Sequence, residues 1–269
     1  MYKLKLGVSV GTIYENTVNV NFEHQILKLK ELGFDSIDLN LLGCRRLSVY
    51  DECLNKLPEF FKIVRDNGLI VNGVHMPFGG VMDISTPDKQ QLKESLDLAV
   101  KIFSVVDKLK PNCYIFHGSG EPIPQNLREE MKDILADSLN FLTSKTDIPV
   151  CIENLPRTCL LNTSNELNEF LKIVPKTFVC VDTNHFLTEK TENAIINIGS
   201  IIKTLHVSDF DYVDERHWLP GQGSIDWQKV INALEKIGYD GVFNYELCPN
   251  YDYAQIKESY DKLFELYNK

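Results

Sequence analysis

The 269-residue chain is acidic, with 38 aspartates and glutamates against 28 lysines and arginines and a formal net charge of −10. It therefore carries no general positive field for a phosphate backbone, which argues for a small-molecule partner and against nucleic acid. Seven cysteines (Cys44, Cys53, Cys113, Cys151, Cys159, Cys180 and Cys248) form no CxxC pair, an odd, scattered set that suits a reducing compartment rather than a disulfide framework. The amino terminus, MYKLKLGVSVGT, has no apolar h-region or small-residue cleavage site and nowhere do eighteen apolar residues run together, so no membrane partner is expected and a cytoplasmic, soluble protein is predicted.

Along the chain, short runs rich in Val, Ile, Leu, Phe or Tyr recur at 4–10, 36–41, 69–75, 113–117, 149–153, 178–182, 204–207 and 242–246. Each reads as a strand and is followed by an amphipathic stretch. In the first stretch Phe22, Ile26, Leu29 and Leu32 recur at helical spacing, and in the third Leu92, Leu96, Ala99, Val100 and Phe103 do so, which predicts one buried face on each helix. Gly33, Gly68 and Gly238 stand between a helical stretch and the next strand, where a left-handed residue ends a helix. Ser85-Thr86-Pro87 and Thr163-Ser164 read as helix starts, and another helix begins near Asp226. With strands starting roughly every 25 to 45 residues and no linker or low-complexity tract, the pattern predicts a single (β/α)8 barrel over residues 1–269, in preference to a doubly wound sheet with extra units.

In such a barrel the C-terminal ends of the strands form the active face. Glu153, Asp182, His206 and Glu246 end four successive runs, PVCIEN, TFVCVDTNH, IKTLHVSD and GVFNYEL. A carboxylate directly after a buried apolar run is costly unless it is paired or holds a metal. Four converging oxygen and nitrogen donors point to one divalent cation, Mn²⁺, Mg²⁺, Co²⁺ or Zn²⁺. His75 ends the third run, His117 the fourth, and His185 lies three residues after Asp182. Asp209 follows His206 by three residues, and Glu215 and His217 lie in the long loop DYVDERHWLPGQGSIDW. Five of the six histidines thus face one rim and only His24 falls outside. The competing structural readings are a hydrogen-bonded strand-end histidine at His75 or His117, a helix cap or amide partner at Glu153, an ion pair of Glu246 with Arg157, and a solvated charge run at Glu215 and His217. The glycines of Pro220-Gly221-Gln222-Gly223-Ser224 fit either a tight turn or a phosphate cradle.

The segments VHMPF, FHGSG, CIENLP, VDTNH, LHVSD, HWLPGQGSIDW and YEL, spread over nearly the whole chain, resemble the xylose isomerase-like barrel superfamily, which includes sugar isomerases and epimerases and endonuclease IV. By that resemblance Glu153, Asp182, His206 and Glu246 match the four metal ligands of ketose 3-epimerases, and His185 their substrate-contacting histidine. Two positions depart from that pattern: Cys159 stands where those enzymes have a further glutamate, and His217 where they have an arginine. Endonuclease IV is the rival. Its trinuclear zinc site is matched by His75, His117, Glu153, Asp182, His185, His206, His217 and Glu246, with Glu215 in place of an aspartate. Against it stands the scarcity of basic residues after the first two strands, where Arg45 and Arg46 form the one basic cluster.

The leading expectation is a divalent-metal-dependent isomerase or epimerase of a sugar or sugar phosphate, acting by proton transfer through a metal-stabilised cis-enediolate. Glu153 and Glu246 would be proton acceptor and donor, and His75, His117, His185, Glu215 and His217 would contact substrate. The alternative is a trinuclear zinc abasic-site endonuclease or phosphodiesterase, and the third reading a non-catalytic sugar-binding barrel. A homo-oligomer is compatible with all three.

Overall fold

The structure, a computed structural model, describes residues 1–14, 17–41 and 47–269. Cys44, Arg45 and Arg46 lie outside the described residues. Eight parallel strands make the barrel: β1 (Lys5–Gly11), β2 (Ser36–Asn40), β3 (Ile70–His75), β4 (Cys113–His117), β5 (Val150–Glu153), β6 (Thr177–Asp182), β7 (Ile202–His206) and β8 (Val242–Tyr245). They are hydrogen-bonded in the order β8-β1-β2-β3-β4-β5-β6-β7. The ring closes just past β7, where Val207 N donates to Asn244 O at 2.8 Å and Glu246 N donates to Val207 O at 3.1 Å. Around it run α1 (Phe22–Glu31), α2 (Leu47–Asp66), α3 (Lys89–Val106), α4 (Arg128–Thr143), α5 (Ser164–Leu171), α6 (Thr191–Ile198), α7 (Trp227–Lys236) and α8 (Tyr253–Tyr267). The eight predicted strands are all present, each within two residues of its expected ends.

The predicted helix stops are where they were expected: Gly33, Gly68 and Gly238 follow α1, α2 and α7 with φ of 80°, 75° and 74°, values an L side chain rarely adopts. Thr163 caps α5 by accepting from Glu166 N, and Asp226 caps α7 by accepting from Lys229 N. The start of α3 differs. Its cap is Asp88, whose carboxylate accepts from Gln90 N and Gln91 N, while Thr86 Oγ1 accepts from Asp88 N in a turn before the helix. The buried face of α3 is Ser95, Leu98, Ala99, Ile102, Phe103 and Val106, so of the expected residues Ala99 and Phe103 are buried, Leu96 packs half-buried against the core, and Leu92 and Val100 are half-buried at its edge. A two-stranded hairpin, Ile13–Tyr14 with Thr17–Val18, also follows β1 and has no clear periodic signal in so few residues.

Two interior features prepare the active face. The side chains of Cys113, Ile115, Cys151 and Cys180 pack together inside the barrel, as small buried apolar groups, and burial pushes the Cys180 thiol well above its usual range. Above β7, the loop containing Pro220-Gly221-Gln222-Gly223-Ser224 is folded around Asp209, a wholly buried carboxylate. Asp209 accepts from Phe210 N at 2.9 Å, Gly221 N at 2.8 Å, Ile225 N at 3.1 Å and Trp227 Nε1 at 2.9 Å. Those amides are therefore engaged within the chain, and the glycine pair makes a turn rather than an open phosphate cradle.

Asp209→Ala leaves these four donors buried without an acceptor, each at a cost of ~1–3 kcal/mol. Urea denaturation of this variant is expected to show a loss of at least about 3 kcal/mol; a loss under about 1 kcal/mol would show that the loop does not depend on Asp209.

Candidate metal centre

Parallel register sets the site level. His117 pairs with Glu153, and Asp182 with His206, across adjacent strands, so strand-end side chains leave the barrel at one height and turn inward. Glu153 lies at the centre, 1 % exposed. Its Oε2 is 3.3 Å from His75 Nε2 and 3.5 Å from His117 Nε2, and its Oε1 is 3.3 Å from His206 Nδ1 and 3.6 Å from His185 Nδ1. Glu246, one residue past β8, brings Oε2 to 2.8 Å from the same His206 Nδ1. His185 Nε2 faces Asp182 Oδ2 at 3.6 Å and Glu215 Oε1 at 3.5 Å, and His217 Nε2 is 2.9 Å from Glu215 Oε1. All nine residues predicted for the site are thus brought into one cluster. His24 is exposed on α1, and Asp209 serves the loop.

The ring tautomers follow from the backbone. His75 Nδ1 donates to Met76 O at 2.9 Å, His185 Nδ1 to Asn154 O at 2.8 Å and His217 Nδ1 to Glu246 O at 3.1 Å. With the proton fixed on Nδ1, the Nε2 lone pair of each neutral ring points at a carboxylate. A lone pair facing an anionic oxygen repels it unless a cation or an added proton lies between. Correspondingly, Glu153 Oε2, Asp182 Oδ2, His185 Nε2 and both ring nitrogens of His206 are buried without a hydrogen-bond partner. Glu153, Asp182, His206 and Glu246 each offer a ligand atom, all within 4.8 Å of one another, as do His75, Glu153 and His206, and Asp182, His185 and His217. These donors fit a divalent cation, and the histidine bonds to main-chain carbonyls are the outer contacts that metal-ligating imidazoles make.

Without a metal, protons must balance the charge. Burial opposes ionisation of Glu153, yet His206 and His117 hold its carboxylate well below the usual range. Burial likewise works against Glu246, but His206 draws it down to about 2. Burial dominates at Asp182 and raises it to about 6. At His185 burial disfavours the charged ring, but Asp182 and Glu215 outweigh it and lift the value to about 9. At His217 burial is similarly overcome by Glu215, Asp182 and Glu246, to about 10. Burial wins at His117 and pushes it down.

Several residues that periodicity and strand-end position do not mark hold the site in place. Asn154 clamps β6 to β5, accepting from Asp182 N at 2.8 Å and donating to Asp182 O at 3.0 Å. Asn184 Oδ1 accepts from Arg216 N and His217 N and holds His217 at φ 51°. Arg157 does not pair with Glu246. It binds Glu121 through two bonds of 2.6 and 2.8 Å, Asp214 at 2.8 Å and Glu215 at 3.0 Å, tying three rim loops together. Phe78 stacks on His117 with ring centroids 3.9 Å apart. Cys159 is buried, with its Sγ 3.6 Å from Gly120 O. A signal for Asn154 and Asn184 was present in the polar residues beside the metal-type ligands; their role depends on cross-strand contacts.

Residues 26–266 match the xylose isomerase-like TIM barrel family, and the chain belongs to that family. It is 25% identical over 250 residues to D-psicose 3-epimerase of Ruminiclostridium cellulolyticum, covering 85% of this chain and 78% of that one. It superimposes on the crystal structure of a D-tagatose 3-epimerase-like protein with a TM-score of 0.80 at 21% identity, covering 98% of each chain. The same comparison with the crystal structure of the IOLI protein with a binding zinc atom gives 0.78 at 16% identity, again over 98% of each chain. Sugar epimerases and isomerases are thus among the relatives of this chain. No helix among the described residues is long and apolar enough to cross a membrane.

Two outcomes follow for the metal centre. A divalent ion is expected to bind the native protein, and Asp182→Asn or His206→Ala to abolish it; at a hundredfold excess over its dissociation constant such a ligand adds about 2.7 kcal/mol of apparent stability. An unchanged melting temperature on chelation of the native protein would contradict this. The pH dependence has a sign. His185, at about 9, and His217, at about 10, contribute stability to the metal-free protein that is complete below the unfolded histidine value of about 6.5 and is lost as pH rises through 9 to 10. Metal uptake at pH 7 is therefore expected to release protons, seen as a buffer-dependent calorimetric heat. The metal-free protein alone is expected to lose stability between pH 7 and 10.

Proposed function

We propose that this protein is a divalent-metal-dependent isomerase or epimerase of a sugar or sugar phosphate. The observation that carries the reading is the meeting of two ionised carboxylates, Glu153 from β5 and Glu246 from β8, at one imidazole nitrogen, His206 Nδ1, at 3.3 and 2.8 Å. Glu153, Asp182, His206 and Glu246 would hold the ion. When bound, a divalent ion supplies the Lewis acidity that makes a carbon beside a carbonyl acidic and offsets charge on a developing cis-enediolate.

The chain's own groups divide the proton work. Glu246 is 18 % exposed whereas Glu153 is 1 % exposed, so Glu246 is the carboxylate that exchanges protons with solvent and Glu153 the one that keeps its proton within the site. Their low values leave both ionised at neutral pH, ready to accept a proton from carbon, and their approach from different strands gives the two faces of a planar intermediate separate acid–base groups. His185 and His217, with Glu215 between them, would orient substrate hydroxyls. His75 and His117 line the opposite side of Glu153, with Phe78 as an apolar wall. The family membership and the sugar epimerases among the relatives support the same reading.

A specific observation favours a second reading. His75 and His117 flank Glu153, and His185 and His217 flank Glu215, on either side of the Glu153–Asp182–His206–Glu246 cage, a donor set that suits the three-zinc arrangement of endonuclease IV. Among the described residues the rim arginines speak against a duplex substrate: Arg157 is engaged with Glu121, Asp214 and Glu215, and Arg216 with Asp211, whereas phosphate-backbone binding draws on several free cations.

Two experiments bear on these readings. Solvent deuterium is expected at the carbon alpha to the carbonyl of a substrate ketose, and Glu246→Gln, assayed at saturating metal with the bound ion counted, is expected to slow this by about 10²- to 10⁴-fold per metal-loaded chain, the usual worth of a placed general base. A loss under tenfold would assign Glu246 to ligation or structure alone. Metal counting on the purified protein is expected to give one tightly held ion per chain and no cleavage of abasic duplex. Three zinc ions with salt-sensitive abasic-site cleavage would replace the isomerase with the nuclease.

A further inference from the structure

Beneath the metal cage lies a carboxylate that none of the preceding chemistry uses. Asp38, in the middle of β2, is wholly buried inside the barrel. Its Oδ1 accepts from Gly73 N at 2.7 Å and from Asn72 Nδ2 at 2.8 Å. Its Oδ2 makes no hydrogen bond, and neither does His206 Nε2, which lies 3.5 Å away.

Three local irregularities build this arrangement. Between β2 and β3 the register steps from Ile37–Val71 to Asp38–Gly73, leaving Asn72 as an extra residue. Such a bulge re-aims a side chain, and the Asn72 amide lies buried between Asp38 and Thr204, donating to Thr204 Oγ1 at 2.9 Å. Between β6 and β7 the register steps from Val179–Ile202 to Cys180–Thr204, which brings Thr204 opposite Cys180 as Asn72's second acceptor. At Gly73 a Cβ would fall 2.8 Å from Asp38 Cγ and Oδ2, so only glycine lets the carboxylate sit there. A residue needed only to accept from Gly73 and Asn72 could be neutral. The arrangement instead keeps an ionisable oxygen, without a partner, opposite the outer nitrogen of a metal-type histidine.

We propose that Asp38 is the positioning residue of the metal cage, its Oδ2 accepting the Nε2–H of His206 and thereby holding the ring in the tautomer whose Nδ1 lone pair faces Glu153 and Glu246. The inference rests on the metal-dependent reading of the site. It supplies what the other rings obtain from main-chain carbonyls: His75, His185 and His217 are set by Met76 O, Asn154 O and Glu246 O, whereas His206 points Nδ1 at the cage and Nε2 at the Asp38 carboxylate, with the Cys180 thiol also beside the ring. A cation held at Nδ1 would make the Nε2–H a stronger donor, and Asp38 Oδ2 is the acceptor placed to take it. A carboxylate behind a ligating histidine also raises its basicity.

The test is zinc affinity, measured by competition with a chromogenic chelator, for the wild type and for Asp38→Asn. The amide preserves shape and can still accept from Gly73 and Asn72, but it presents an N–H to Nε2 and so favours the ring with its proton on Nδ1. Zinc affinity is expected to fall about 10- to 100-fold, with a melting temperature of the zinc-free protein close to that of wild type. Equal affinity in the two proteins would overturn the role of Asp38 while leaving the metal centre intact, and a wild type that binds no zinc would overturn both. If Asp38→Asn fails to fold, long-range ¹⁵N spectra of the zinc-loaded wild type decide: His206 protonated at Nε2 with a downfield proton supports the proposal, and His206 protonated at Nδ1, or at neither nitrogen, refutes it.

Discussion

Everything at the active face depends on one electrostatic constraint: Glu153, Asp182 and the facing oxygens of Glu215 and Glu246 crowd the Nε2 or Nδ1 lone pairs of His75, His117, His185, His206 and His217 in a buried space. Desolvated carboxylates cannot accumulate at that density without compensation. Protons provide it in part, which is why His185 is lifted to about 9 and His217 to about 10 while Glu246 is drawn down to about 2. A divalent cation would provide it by taking those lone pairs as ligands. Metal and protons would thus compete for the same charge deficit, and main-chain carbonyls hold the protons of three rings on Nδ1, which leaves each Nε2 lone pair open toward a carboxylate.

The scaffold turns that constraint into geometry. Parallel register brings the ends of neighbouring strands to one height, bulges at Asn72 and Lys203 turn polar groups inward below the site, and the rim loops are held by buried polar side chains. Four non-glycine residues of these loops, Arg157, Leu161, Tyr212 and His217, have positive φ between 51° and 61°. Such conformations cost of order 1–3 kcal/mol each and persist where surrounding contacts over-determine them. Here those contacts are visible: Asn184 Oδ1 takes the amides of Arg216 and His217, and the Arg157 guanidinium holds Glu121, Asp214 and Glu215.

Much of this was legible in the sequence. The eight strands, the glycine stops and the inward histidines and carboxylates follow from patterns local in the chain, because strand-end position in a parallel barrel already implies convergence. What was not legible depends on pairs distant in sequence. Asp38 reads as one polar residue in SIDLN, and only the bulge at Asn72 and the proximity of His206, 168 positions away by numbering, give it a purpose. Asp209 resembles a site residue by its spacing from His206, yet four donors from its own loop claim it. At α3 the local Ser-Thr-Pro signal was overridden by Asp88, a better acceptor for two free amides, and a rotation of the buried face toward Leu98 and Ile102 escaped a pattern with apolar residues on more than one side.

The central claim, that a divalent cation rather than a set of protons neutralises this cluster, is tested most directly by anomalous diffraction from crystals grown at neutral pH with Mn²⁺ or Zn²⁺. The account predicts a strong anomalous peak bounded by Glu153, Asp182, His206 Nδ1 and Glu246. Clear density for these side chains with no peak among them, and carboxylates hydrogen-bonded directly to protonated histidines, would contradict it.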